Sequence, residues 1–289
     1  MNTTIISILL GIAGMFGWGM YDFLGGVFAK QIGPFKSLFW SQLAGLGAVC
    51  LLVFVFAPIL DISGLAILLI AAASILYSAG YLFFFKGLEI GNVSIVAAAM
   101  NLWAVFTMLF AFLFMGQRLS EVQSLGVGLI LAGVVFASLN WGDIKNQRFQ
   151  LSVGVKETVA GAFFFGVFWN VSEIVSEEIG WPFTTLFVKL GIILFLLIFS
   201  LFAKREIGLV KVSSKTKIML VVMGIVEAGA VAAVNYGLTI GDAILITPIA
   251  SALSIVTIGL AILFLKEKIT NLQGIGILMA IIGIITTAL

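Results

Sequence analysis

Ten apolar runs, each close to the length of a bilayer-crossing helix, follow one another along this chain with little between them. About 20 apolar residues in a helix cross a hydrocarbon core. The runs fall at roughly 4–28, 35–57, 64–85, 92–114, 121–140, 153–176, 182–202, 218–239, 243–265 and 271–289. The breaks carry glycine, proline or charge: Gly33 and Pro34, 58–64, 86–91, 116–120, 141–150, Gly180 to Pro182 through Trp181, 203–217, Gly241 and Asp242, and 266–271. The runs are continuous, without apolar/polar alternation, so they read as helices and not as a barrel. Only 141–150 and 203–217 are long enough to be loops, and neither can hold a soluble domain. The fold expected is an all-α integral membrane protein of ten transmembrane helices. Met1, Asn2, Thr3 and Thr4 bring no basic residue before the first run, which therefore reads as a membrane helix and not as a cleavable signal.

Composition narrows the function. With 62% hydrophobic and 10% charged residues, a soluble domain has too little charge to cover its surface. The absence of histidine removes the commonest metal ligand and the usual near-neutral proton acceptor. It excludes a histidine triad or zinc site, and no cofactor is expected. Hydrolytic chemistry would have to rest on carboxylates alone, so an enzyme is not expected. The net charge of +2 argues against a nucleic-acid partner. The lone Cys50 admits no internal disulfide and, in its apolar run, is expected to be a small core residue. No nucleotide-binding loop is present, so ATP is not expected to drive its activity.

The second half repeats the first. A shift of 150 residues sets Gly87, Leu88, Ile90 and Gly91 on Gly237, Leu238, Ile240 and Gly241. It sets Thr107, Ala111, Leu113 and Phe114 on Thr257, Ala261, Leu263 and Phe264, and Gln123, Gly126 and Gly133 on Gln273, Gly276 and Gly283. A shift of 148 sets Pro34, Phe35, Leu38 and Phe39 on Pro182, Phe183, Leu186 and Phe187. Two units follow, 1–145 and 146–289, of five helices each. An odd number inverts one unit relative to the other, the arrangement of alternating-access transporters. Numbering the connections by alternating sides puts 13 Lys and Arg on one side and only Arg118 on the other, with Lys189 inside a span. The positive-inside rule makes the basic side cytoplasmic and both termini external.

The repeat ends carry a motif. The first reads Met115, Gly116, Gln117, Arg118, Leu119 and Ser120, then Gln123 and Gly126; the second reads Leu265, Lys266, Glu267, Lys268, Ile269 and Thr270, then Gln273 and Gly276. With Gly17, Trp18 and Gly19 followed by Lys30, and with Pro248 in the ninth run, these resemble the EamA-type repeat of the drug/metabolite transporter superfamily. Gln117 stands where that repeat has Glu, and Lys266 where it has Gly. The resemblance covers nearly the whole chain. It implies a ten-helix fold, a central cavity between the repeats and transport of small metabolites: amino acids, sugars, nucleotide-linked sugars, purines or organic cations. Many such proteins are drawn with cytoplasmic termini, the reverse of the charge count here.

Ionisable residues inside spans mark candidate sites, since each costs at least ~2.5–3.5 kcal/mol at mid-membrane. Glu227, among Gly224, Ala228 and Gly229, is the sharpest; Tyr77 is its repeat-related position. Glu227 reads as a substrate anchor or proton carrier, or else as a carboxylate tied to Lys189. Lys189 in turn reads as its counter-ion or as a contact for an anionic group. Trp18, Tyr21 and Asp22 share a helix face, as do Trp169, Asn170 and Glu173. These patches either line a cavity, where aromatic faces attract organic cations, or form interfacial belts. Asn101 and Trp103 offer a ligand contact or helix glue. Trp40, Gln42, Asn235 and Pro248 are weaker candidates. The expected function is secondary active transport of a small polar metabolite, an amino acid, amine or quaternary ammonium, by alternating access in the plasma membrane. The coupling ion expected is a proton or sodium, and the protein a monomer or homodimer in the bilayer. The alternatives are a sugar or nucleobase transporter of the same fold, or an uncoupled channel.

Overall fold

The computed structural model describes residues 3–56, 60–90, 99–138, 154–210, 212–265 and 270–287. The start of the fourth expected span, the 141–150 connection with Lys145 and Arg148, Lys211 and residues 266–269 of the second motif lie outside them. The described residues form helices α1 Thr3–Ile32, α2 Pro34–Phe56, α3 Gly64–Ile90, α4 Leu102–Phe114, α5 Glu121–Ser138, α6 Val155–Ile179, α7 Trp181–Phe202, α8 Ser214–Leu238, α9 Ala243–Ser251, α10 Leu253–Leu265 and α11 Asn271–Thr287. No strand occurs among them. Within the described residues, seven spans are long and apolar enough to cross a membrane, one of them running through α9 and α10; α4, α5 and α11 are shorter apolar helices. The chain is a multi-pass membrane protein.

Several boundaries move for local reasons. Helix α3 continues to Ile90, so the break expected at 86–91 is helical as far as the structure describes it. Helix α1 ends at Gly33, whose φ of +88° suits glycine, and Pro34 opens α2 at the first position, where its missing N–H costs nothing. Gly180, at φ +82°, makes the matching joint between α6 and α7, with Pro182 in the first turn of α7. The motif's hydroxyl and glutamine form reciprocal caps. Ser120 Oγ accepts from Gln123 N at 3.1 Å while Gln123 Oε1 accepts from Ser120 N at 3.0 Å. Thr270 and Gln273 repeat this at 3.3 and 2.9 Å. Each pair satisfies donors that the start of α5 or α11 leaves open.

The glycines after those caps bring α5 and α11 together. A Cβ on Gly126 would lie 2.8 Å from the Gly283 carbonyl, one on Gly283 2.6 Å from that of Gly126, and one on Gly133 2.5 Å from that of Gly276. Only bare backbone tolerates this approach. Other pairs also come as exchanges between halves: α3 packs on α6 and α1 on α8, α2 on α8 and α3 on α7, α4 on α6 and α1 on α9 and α10. Phe54, Phe114, Leu201 and Phe202 are among the large apolar side chains left exposed on the outside. Cys50 is exposed there too, contrary to the expected core position. A chain whose solvent is lipid has no reason to bury a small thiol.

The ends of the bundle are distinct. Ser63 bonds Glu178, and Trp181 packs at a tilt against Phe56 and Tyr236, at the end that also holds Arg118. At the other, basic end, Lys36 pairs with Glu206 at 3.2 Å and Trp40 Nε1 donates to the Ile207 carbonyl at 2.7 Å.

Candidate functional site

Glu227 and Lys189 meet near the middle of α8 and α7. Their side chains are 1% and 2% exposed, and Lys189 Nζ lies 2.5 Å from Glu227 Oε2. The second carboxylate oxygen accepts the Tyr77 hydroxyl at 2.8 Å, and Lys189 donates also to Gln42 Oε1 at 2.8 Å. The centre thus joins α2 and α3 of the first half to α7 and α8 of the second. Small residues make this possible. A Cβ on Gly45 would lie 2.6 Å from the Gly224 carbonyl and 3.2 Å from Lys189 Nζ, so α2 and α8 approach closely enough for Gln42 to reach the ammonium. Tyr77 and Glu227, related by the sequence repeat, are bonded to each other.

This arrangement satisfies both buried charges. Taking an isolated ion out of water costs several kcal/mol, which partner and hydrogen bonds must offset. Here the carboxylate has both oxygens occupied and the ammonium two acceptors. Gln42 Nε2 has no partner among the described residues. The centre closes on a void of about 10 Å³ beside Tyr77, Phe168, Thr185 and Val231, room for about one water. Next to it, Tyr21 is buried with its hydroxyl 3.0 Å from Ser41 Oγ.

The aromatic candidates assemble beside this centre. Trp18 from α1, Trp103 from α4 and Trp169 from α6 have ring centroids 5.2–6.2 Å apart. Phe168 links them to Tyr77, at 4.8 Å from Trp169 and 4.9 Å from Tyr77. All three tryptophans are buried, which overturns the interfacial-belt alternative for Trp18 and Trp169. Side chains in a headgroup belt would be exposed at the helix ends.

Other candidates hold helices together. Asn170 Nδ2 donates to the Gly166 and Thr107 carbonyls, joining α6 to α4. Asn235 links Ser172 of α6 to Thr185 of α7, each at 2.9 Å. Asn101, also buried, is the turn residue before α4. Ala252 makes a similar interruption between α9 and α10, four residues after Pro248. Pro248 has no N–H to give to the Ile244 carbonyl and so loosens the preceding turn of α9. The two interruptions fall at nearly repeat-related positions, 101 and 252.

The two remaining carboxylates differ. Asp22 is half-buried and forms no ion pair among the described residues. Glu173 is 2% exposed and accepts Gln117 Nε2 at 2.8 Å. Sequence reasoning registers Gln117 only as a departure from a motif; its bond to Glu173 supplies the reason, since a glutamate there would set two carboxylates together. Ser41 and Thr185 carry no signal in the sequence, being common polar residues in apolar helices. Among the described residues no group of three acidic, cysteine or histidine side chains is placed to hold a metal.

Comparison with known proteins agrees with this architecture. A solved crystal structure of another protein superposes with a TM-score of 0.78 at 16% identity, covering 97% of this chain and 95% of that one; at that identity the likeness concerns the fold. No curated protein matches the sequence. The sequence model of the EamA-like transporter family matches twice, over residues 5–139 and 153–289. The chain therefore belongs to the EamA-like transporter family, membrane transporters of the drug/metabolite type.

Proposed function

We propose that this protein is a secondary active transporter that moves a zwitterionic small metabolite, of the amino-acid type, by alternating access. The Lys189–Glu227 pair with Tyr77 and Gln42 is its binding centre. One observation carries the reading: a fully buried ion pair at mid-helix drawing its ligands from both halves of the chain. Pulling one charge from the other without replacement strands a buried ion, at about 3–5 kcal/mol. A zwitterion avoids that cost, because its carboxylate takes Lys189 while its ammonium takes Glu227. A simple amine replaces only one partner, so the balance of charges favours the amino-acid type over the quaternary ammonium. The void of about 10 Å³ makes the present arrangement a closed one, and binding requires the halves to part. Coupling, by proton through Glu227 or by sodium, belongs to the same centre.

The proposed framework is ten spans in two inverted units, 1–145 and 146–289, in the plasma membrane, as monomer or homodimer. Reciprocal contacts of Gly126 with Gly283 and Gly133 with Gly276 support the inversion. Contact partners run in opposite senses along α5 and α11, as two equivalent helices do across a twofold axis perpendicular to them. The basic end is proposed to be cytoplasmic. Impermeant thiol labelling of Ser213→Cys and Gly180→Cys in intact cells tests this; labelling of the first and not the second reverses the orientation.

Counterflow in proteoliposomes tests the function. Saturable exchange of a labelled amino acid, lost in Glu227→Gln and Lys189→Gln, is the expected result. Saturable exchange of sugars or nucleobases alone would transfer the centre to a neutral substrate, and linear, non-saturating flux would make the protein a channel.

A further inference from the structure

The strongest unexplained group outside the charged centre is Glu173. One carboxylate oxygen accepts Gln117 Nε2 at 2.8 Å and the backbone N–H of Ala243 at 3.4 Å; the other is buried with no partner among the described residues. Gln117 Oε1 in turn accepts the backbone N–H of Ile244 at 3.1 Å. Ala243 and Ile244 open α9, where helix N–H groups lack internal partners, and Asp242, the residue placed to cap them, makes no side-chain cap. The start of α9 is therefore capped from outside, by a carboxylate on α6 and by an amide on the connection between α4 and α5. Negative charge is favourable at that position.

From this geometry we infer that Gln117, Glu173 and the first turn of α9 form a latch that closes the Arg118 end of the transport route and releases when that end opens. This rests on the alternating-access reading and adds the moving contact to it. Three features suit a latch. It spans both halves, with Gln117 in the first and Glu173 and α9 in the second. Its bonds end on N–H and carboxylate groups that water can satisfy on release, and the idle oxygen of Glu173 leaves the closed state short of full satisfaction. A void of about 150 Å³, lined in part by Arg118, Asp242, Gln123 and Ile244, borders it. At the opposite end the contacts differ: Trp40 and Lys36 hold Ile207 and Glu206, after α7. Gln117→Glu keeps the shape and sets a second carboxylate against Glu173, which drives the latch apart. Gln117→Ala removes the bridge without adding charge.

The test uses two buried serines whose hydroxyls have no partner among the described residues: Ser176, one turn beyond Glu173, and Ser37, at the basic end. Each is replaced singly by cysteine in the Cys50→Ser chain, reconstituted without substrate. The rate of labelling by a membrane-impermeant thiol reagent is then compared between the chain that keeps Gln117 and the chains that carry Gln117→Glu or Gln117→Ala. Either change is expected to raise labelling at Ser176→Cys by about tenfold or more, the population shift that loss of one hydrogen bond to a charged group produces, with no rise at Ser37→Cys. No change at Ser176→Cys overturns the latch. A rise at both positions also overturns it, because it marks general loosening. The readout needs no flux, so a chain that labels as expected yet shows no counterflow keeps the latch and loses the transporter reading.

Discussion

The Lys189–Glu227 centre and the Trp18–Trp103–Trp169 cluster lie side by side, joined through Phe168, but different helices and different forces assemble them. The charged centre draws on α2, α3, α7 and α8, and its members are coupled: each partner is present because the other is. The tryptophan cluster draws on α1, α4 and α6, and its members share dispersion and ring-edge contacts that degrade gradually. A transporter needs both kinds of contact. On the proposed reading, the strong, specific bond marks the substrate's place, and the softer packing lets helices slide past one another without stranding a charge. The Tyr21–Ser41 bond runs between the groups, tying α1 of the aromatic set to α2 of the charged one.

Breaking the charged centre tests the contrast most severely. Glu227→Ala is expected to cost about 3–5 kcal/mol by leaving the Lys189 charge buried without its counter-ion, and the double change Lys189→Met with Glu227→Met is expected to recover most of it. Unfolding in detergent measures both; a double variant no more stable than the single would show that the pair is not coupled. Tyr77→Phe removes one hydrogen bond to the carboxylate and keeps the ring, for a loss of about 1.5–3 kcal/mol. An unchanged melting point with unchanged counterflow would take Tyr77 out of the centre. On the aromatic side, Trp169→Phe should cost less, about 0.5–1.5 kcal/mol from weakened ring contacts. A loss as large as that of Glu227→Ala would mean that the cluster, too, behaves as an all-or-none unit. Cys50→Ser, on the outer face, is expected to stay within about 0.5 kcal/mol and to leave uptake unaltered, which makes it the baseline for the labelling experiments.

Much of the centre is legible in the sequence because lipid is intolerant of charge. Glu227 and Lys189 stand out in runs of Ile, Val, Gly and Ala, and their mutual pairing is one of the two readings those residues leave open. Tyr77 is reached through the repeat alone, as the counterpart of Glu227. Gln42 is a weaker candidate, since an amide in a membrane helix is often glue. Gln117 reads as a motif position, without its bond to Glu173. The spacing of Ser120 and Gln123, and of Thr270 and Gln273, is that of a capping box, and the reciprocal bonds show both boxes formed. Trp18 and Trp169 are ambiguous between cavity and headgroup belt because tryptophan serves both, and only their burial decides it. Cys50 goes the other way, outward.

What the sequence determined by itself was the solvent, the helical elements and the internal duplication, together with the demand that Glu227 and Lys189 find partners. The hydrocarbon core enforces all of these through backbone satisfaction and charge burial, whatever the packing. The tertiary structure alone decided which partners they find. These helices are apolar around their whole circumference, so no stripe marks the inward face. Their rotation is set by close approaches such as Gly45 on Gly224 and Gly126 on Gly283, contacts between residues far apart in the chain that become visible only once the helices are packed.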